Sequence, residues 1–79
     1  MNEPTEVEIR VSVEGKITVL SFTWKGRKLP VVSEGRRRET ATGFRVLVMT
    51  TRERVYELDY DAPSGIWRIV RASEERLSA

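Results

Sequence analysis

The sequence contains no cysteine and no histidine. Without cysteine the chain can form neither a disulfide nor a thiolate metal site. Without histidine it lacks the commonest general base, the commonest metal ligand and the usual partner of a catalytic nucleophile. No other nucleophile–base pair, metal cluster or cofactor motif stands out. The sequence therefore predicts a protein that is not an enzyme and that has no metal or cofactor.

Long hydrophobic runs are also missing. The longest purely apolar run is Val46 to Met49, which can neither span a membrane nor form the core of a signal peptide. A chain of 79 residues with 39% hydrophobic and 33% charged residues is typical of one small globular domain, here residues 1–79. We expect a cytoplasmic protein with no membrane partner.

Two stretches of apolar and polar alternation, residues 6–13 and 16–24, flank Glu14-Gly15. This pattern predicts an antiparallel β-hairpin with its apolar stripes on one face. A two-residue loop sets the register. That register pairs Val13 with Lys16, Val11 with Thr18, Ile9 with Leu20 and Val7 with Phe22.

Phe44 to Thr50 and Arg54 to Tyr60 predict a second hairpin around Thr51-Arg52-Glu53. A two- or four-residue loop would pair Leu47 with Leu58 and Met49 with Tyr56. We favour a three-residue loop, because it groups aromatic with β-branched residues and sets opposite charges together. It pairs Phe44 with Tyr60, Val46 with Leu58, Val48 with Tyr56 and Arg45 with Asp59.

The remaining segments complete an all-β prediction. Pro30 restricts the short strand Leu29 to Val32 to an edge or an end, and Ile66 to Val70 forms the last strand, with Trp67 beside Tyr60. Ser33 to Gly43 has no apolar residue except Ala41 and is predicted to be an exposed, mobile loop. Ser73 can cap a brief C-terminal helical turn.

Five to six strands joined by short connections form an antiparallel meander, which we expect to curl into a small open barrel. Its expected core consists of Leu20, Phe22, Trp24, Phe44, Tyr56, Tyr60 and Trp67.

The frame Phe22-x-Trp24-x-Gly26-Arg27, Arg38-Glu39-Thr40, Tyr56-Glu57-Leu58 and Gly65-x-Trp67 resembles a small bacterial family classed as a domain of unknown function. The likeness covers roughly residues 20–71. It implies a compact β domain, and some relatives accompany error-prone DNA polymerases. Members of the family carry tryptophans before and after the Arg-Glu-Thr segment. This chain has none there, so it lacks any binding surface that those tryptophans line.

The positive charge is concentrated in residues 25–54, which carry nine basic and three acidic residues. The run Arg36-Arg37-Arg38 is the candidate nucleic-acid contact, because guanidinium groups bind phosphates through paired hydrogen bonds. Lys25, Arg27 and Lys28 extend this candidate patch. The alternative is a solvated loop that Glu34 and Glu39 partly neutralise.

Two further features could mark surfaces. The predicted register places Ile17 and Val19 on the outer face, where the C-terminal segment or a dimer contact would cover them. Glu57 and Asp59 share a face of one strand, and a ladder of ion pairs with Arg45 and Arg68 is favoured there over a metal site.

These observations favour a non-catalytic protein-interaction or accessory module, with an unknown protein partner or through self-association. The alternative is a nucleic-acid-binding module that uses the basic loop Ser33–Gly43.

Overall fold

The computed structural model describes residues 2–72, which form eight β-strands and one short 3-10 turn at Thr51–Glu53. The strands are β1 (Glu3–Thr5), β2 (Val7–Val11), β3 (Ile17–Trp24), β4 (Arg27–Pro30), β5 (Ser33–Glu39), β6 (Gly43–Thr50), β7 (Arg54–Asp61) and β8 (Ile66–Ala72). The helical turn expected at Ser73 lies outside the described residues. No segment within residues 2–72 is a helix of the length and hydropathy needed to cross a membrane.

The strands form two antiparallel sheets, so the all-β prediction is confirmed. One sheet has five strands in the order β1-β8-β7-β6-β5, and the other has three in the order β2-β3-β4. The chain passes between the sheets at Glu6 and at Val31–Val32. The hydrogen bonding leaves two separate sheets and does not close them into a barrel, in contrast to a single curled meander.

The core lies between the two sheets. It contains the buried side chains Val19, Phe22, Trp24, Val46, Val48, Tyr56, Leu58, Trp67 and Ile69. Tyr56 joins the sheets, because its ring meets Phe22 at 5.0 Å and Trp24 at 5.6 Å in edge-to-face contacts. Such aromatic pairs contribute about 0.5–1.5 kcal/mol beyond the area that they bury. Phe44 and Tyr60 are only half-buried at the margin of this core.

The predicted three-residue loop and register of the second hairpin are confirmed. Phe44 lies opposite Tyr60, Arg45 opposite Asp59 and Val48 opposite Tyr56. The prediction that Trp67 lies beside Tyr60 is also confirmed. The loop lacks glycine, so Arg52 and Glu53 adopt left-handed backbone with φ of 66° and 59°.

The predicted register of the first hairpin is wrong over most of its length. Ser12 pairs with Lys16, and Gly15 takes the left-handed conformation with φ of 85°. The loop therefore has three residues, with glycine at the left-handed position that such loops require. As a result Ile9 lies opposite Val19 and not opposite Leu20.

A β-bulge at Leu20 then restores the predicted register, so that Val7 lies opposite Phe22 as expected. The bulge inserts one extra residue in β3 and exchanges which residues face the core. Val19 is only 2% exposed and Leu20 is 40% exposed. The prediction of Leu20 in the core is therefore wrong. So is the placement of Ile17 and Val19 on the outer face, since Val19 is buried and Ile17 packs against the core.

The prediction of an exposed loop at Ser33–Gly43 is also wrong. Ser33–Glu39 is strand β5, an edge strand paired with β6 and interrupted by a bulge between Glu34 and Arg37. Its inward positions carry Glu34, opposite Val48, and Arg37, opposite Val46, where a strand ordinarily has apolar residues. Because charged side chains take the core-facing positions, the apolar alternation that signals a strand is absent.

Gly43 marks a close approach of two backbone segments. A Cβ at Gly43 would overlap the carbonyl group of Tyr60, whereas a Cβ at Gly35 would make only ordinary contact, 3.5 Å from the Cβ of Leu47. We expect Gly43→Ala to lower the free energy of unfolding by about 1–3 kcal/mol, because backbone must shift. Gly35→Ala is the matched control and should change it by less than about 1 kcal/mol. Urea unfolding of both variants measures this, and equal stabilities would contradict the close approach.

Candidate functional site

The strand conformation of β5 separates the three arginines of the predicted phosphate contact. Arg37 points towards the core, Arg38 lies opposite Arg45 on the outer face, and Arg36 falls in the bulge and is exposed. Successive strand residues point to opposite faces, so the three guanidinium groups cannot converge on one phosphate as a flexible loop would allow. The three arginines are consecutive in the sequence, but the structure does not bring their side chains together.

Arg37 has a structural role. Its Nη2 atom donates to Glu34 Oε1 at 2.9 Å and to the carbonyl oxygen of Ile17 at 2.8 Å. Its guanidinium also lies 4.4 Å from the centre of the Phe44 ring. Charge-assisted hydrogen bonds and a cation–π contact fix this side chain at the edge of the core.

Glu34 completes the same arrangement. Its Oε2 atom accepts a hydrogen bond of 2.7 Å from the backbone N–H of Val19. Strand β4 pairs with β3 only from Ser21 to Trp24, so the edge of β3 before Ser21 lacks a strand partner on that side. The Glu34–Arg37 pair supplies an acceptor and a donor to this edge, as a further strand would.

Arg38 belongs to a ladder of charges on the outer face of the five-stranded sheet. Arg45 Nε lies 3.0 Å from Asp59 Oδ1, while Glu57 lies 3.9 Å from Arg38 and 3.7 Å from Arg71. Asp59 is also opposite Arg68 in the register. The predicted pairing of Asp59 with Arg45 is confirmed, whereas Glu57 lies near Arg38 and Arg71 and not near the predicted Arg45 or Arg68. No group of metal-ligating side chains occurs among residues 2–72.

The other three basic residues of the predicted patch also separate. Lys28 Nζ pairs with Glu8 at 3.2 Å on the outer face of the three-stranded sheet. Lys25 and Arg27 line an open pocket of about 330 Å³ at the other end of β3, together with Arg52 and Arg54 from the second hairpin. Neither arginine of the second hairpin was singled out from the sequence, because only the three-dimensional fold brings the two turns together.

The inner face of the first hairpin extends beyond the core. Along β2 the exposed fraction rises from 37% at Ile9 to 57% at Val11, and Val13 in the loop is fully exposed. These residues share the apolar stripe that begins at half-buried Val7. An apolar strip that the other residues in the described part of the chain leave exposed is a candidate interaction surface.

Strand β2 also has an unpaired edge. Within the described residues β2 pairs with β3 alone. At its two ends Thr23 N donates to Glu6 O and Ser12 N donates to Lys16 O. Backbone groups alternate in direction along a strand, so the even-numbered residues bond to β3. The N–H and C=O groups of Val7, Ile9 and Val11 therefore point outward from the sheet.

Two carboxylates have altered acidities. Hydrogen bonds from Ser21 and Lys28, together with the charge of Lys28, lower the pKa of Glu8. Hydrogen bonds from Ser64 and from Thr42 lower the pKa of Asp61, and Ser64 Oγ lies 2.6 Å from Asp61 Oδ2. Both groups stabilise their turn or strand in the ionised form.

Comparisons with protein-family models, with curated proteins and with solved structures found no match.

The contacts of Arg37 predict unequal effects within the arginine run. We expect Arg37→Ala to lower the free energy of unfolding by about 1–3 kcal/mol, because Glu34 loses its partner beside the core. Arg36→Ala is the matched control at an exposed position, with an expected change within about 0.5 kcal/mol. Chemical unfolding followed by tryptophan fluorescence gives both values. Equal effects at the two positions would rule out the structural role of Arg37.

The lowered pKa of Asp61 predicts acid sensitivity of the turn at residues 61–65. A carboxyl group whose pKa falls on folding stabilises the folded state above its ordinary pKa of 3.8, and this contribution is lost as the pH falls below that value. Unfolding free energy measured between pH 6 and pH 2 should therefore decline less steeply for Asp61→Asn than for the unchanged chain. Parallel curves for Asp61→Asn and the unchanged chain would be the contrary result.

Proposed function

We propose that this protein is a non-catalytic interaction module that self-associates through β2. The proposal rests on one observation: within residues 2–72, β2 has both an unpaired edge and an exposed apolar face. Strands of this kind readily accept another strand, and natural proteins usually protect them with proline, bulges or short length. Strand β2 is five residues long, contains no proline and carries its bulge on β3, so its own edge stays regular.

The backbone supports a second copy of the chain as the partner. If two β2 strands meet antiparallel around a two-fold axis at Ile9, Ile9 lies opposite its counterpart and Val7 lies opposite Val11 of the other copy. All three residues direct their N–H and C=O groups to the unpaired edge, so each pair can exchange two hydrogen bonds. A two-fold axis requires a self-complementary surface, and this register provides one.

The charges agree with the same register. On the opposite face of β2, Glu8 would lie across from Arg10 of the second copy, and Arg10 across from the second Glu8. Glu8 is largely exposed even though it contacts Lys28. Opposite charges placed directly across two strands are favourable, and like charges there are unfavourable. A register shifted by two residues would lose this pairing.

Binding of nucleic acid through Arg36, Arg37 and Arg38 stays a prediction that the geometry disfavours. Arg37 is engaged with Glu34 and the β3 edge, and Arg38 lies near Glu57. Only Arg36 of the three has no ion pair among the described residues. One exposed arginine gives weak and unspecific attraction to phosphates.

A charge-swap experiment tests the proposed self-association. We expect the unchanged chain to form dimers, and Glu8→Arg and Arg10→Glu to be monomeric on their own, because each would oppose like charges twice. A mixture of the two variants should form a heterodimer, because every crossing then joins opposite charges. Sedimentation velocity on the three samples measures this. Thermal unfolding of each variant checks that it is folded.

A backbone variant separates the edge contact from charge effects. Val11→Pro removes an N–H that points away from β3, so the internal ladder should survive while the dimer is lost. Arg10→Pro removes an N–H that bonds to β3 and should unfold the hairpin. A monomeric unchanged chain at concentrations up to about 1 mM would overturn the proposal. So would a charge-swap mixture that stays monomeric.

A further inference from the structure

The end of the molecule opposite the Gly15 turn holds a basic pocket. The turn between β3 and β4 and the 3-10 turn between β6 and β7 form its two sides. It has a volume of about 330 Å³. Its lining consists of Trp24, Lys25, Arg27, Leu29, Thr50, Thr51, Arg52, Arg54 and Tyr56.

Among residues 2–72, the charged side chains that line the pocket are all basic. Four of its lining residues are basic, and no acidic residue lines it among the described part of the chain. The other basic residues of β4, β5 and β6 mostly meet carboxylates, as Lys28, Arg37 and Arg45 do. Arg27 and Arg52 take part in no ion pair within residues 2–72. Arg27 and Arg52 are therefore two like charges that no carboxylate of residues 2–72 compensates, and an anion between them would be favourable.

The backbone of the two turns is a second, independent observation. Lys25, Arg52 and Glu53 have φ of 52°, 66° and 59°, and they are the only residues other than glycine with positive φ among residues 2–72. Left-handed backbone is unfavourable for a residue that carries a side chain. Glycine or asparagine would relieve this cost in either turn. Strain of this kind concentrates at binding sites, where it fixes the direction of a side chain.

We propose that this pocket binds the phosphate group of a phosphorylated ligand. Arginine provides paired N–H donors that match phosphate oxygens, and Arg27 and Arg52 extend from the two sides of the pocket. Thr51 is exposed at the rim and adds a hydroxyl donor. The proposal is independent of self-association through β2, because no residue of β2 lines the pocket.

The two aromatic residues that line the pocket restrict the class of ligand that it can bind. Trp24 and Tyr56 are buried in the core, where their rings pack against each other at 5.6 Å. They therefore offer little ring surface on which a base could stack, and stacking is the usual source of affinity for single-stranded bases. The ligand is recognised through its phosphate, which can belong to a small phosphate ester or to a nucleic-acid backbone.

Variants at the strained turn allow a matched test. Arg52→Gly removes a cation and relieves the left-handed strain, so it should not reduce the stability of the fold. Glu53→Gly relieves the same kind of strain and leaves the cations in place. We expect Arg52→Gly to weaken phosphate binding at least about tenfold, and Glu53→Gly to retain or strengthen it. Arg27→Ala should weaken binding similarly, while Arg36→Ala, at an exposed arginine that does not line the pocket, should have no effect.

The probes are pyrophosphate, glucose 6-phosphate and an oligothymidylate, each titrated at low salt while amide chemical shifts are followed by NMR. Binding is expected to shift the amides of Gly26 and Thr51 first. Saturation by the small phosphates identifies a phosphate-ester site, and saturation by the oligonucleotide alone identifies a backbone site. No shift at either turn with any probe would overturn the proposal. Equal loss of binding in Arg36→Ala and Arg52→Gly would also overturn it, because it would indicate diffuse charge attraction.

Discussion

The unequal length of β3 and β4 is the constraint on which the rest of the structure depends. Strand β3 spans Ile17–Trp24, but β4 covers only its second half, because the chain leaves for the other sheet at Val31–Val32. The uncovered backbone of β3 borders the core and must still form hydrogen bonds. Glu34 and Arg37 meet this requirement from the neighbouring sheet, so one ion pair joins the two sheets where β4 ends. The two charges are favourable here because each bonds both to the other and to backbone.

The bulge at Leu20 lies at the same place for a related reason. The three-residue loop that contains Gly15 shifts the strand pairing near the loop by one residue relative to the pairing of Val7 with Phe22. One extra residue in β3, Leu20, compensates for this shift. It directly follows Val19, whose N–H donates to Glu34. The outer half of the hairpin therefore keeps an apolar inner face, but its β2 residues Ile9 and Val11 stay exposed. The exposed strip on β2 is thus a consequence of how the hairpin is connected to the core.

The sequence predicted the second hairpin well and the first poorly, and the reason is physical. In β6 and β7 the aromatic, β-branched and charged pairs all favour one register, so several interactions agree. In the first hairpin, alternation predicts strands but does not determine loop length, and a single extra loop residue moves every pair. Strand β5 was not predicted, because the ion pair of Glu34 and Arg37 occupies its inward positions in place of apolar residues. The basic pocket was not predicted, because its residues come from two turns about 25 positions apart in the sequence. Counting charges along a chain does not show that two such turns lie close together in the fold.

The two proposed surfaces are distinct: self-association uses the unpaired edge of β2, and the basic pocket lies at the Trp24 end of β3. This separation decides how they can act together. Five residues of extended strand, about 17 Å, separate Val19, opposite the proposed two-fold axis, from Trp24 at the basic pocket. A second copy on β2 would therefore leave the pocket open, and a phosphate in the pocket would not contact the strand edge. Two pockets would then belong to one rigid unit through a continuous sheet. A ligand with several phosphates that reaches both pockets would bind the dimer more tightly than the monomer, through effective concentration and without new contacts. Self-association at one surface would in this way increase the avidity of binding at the other.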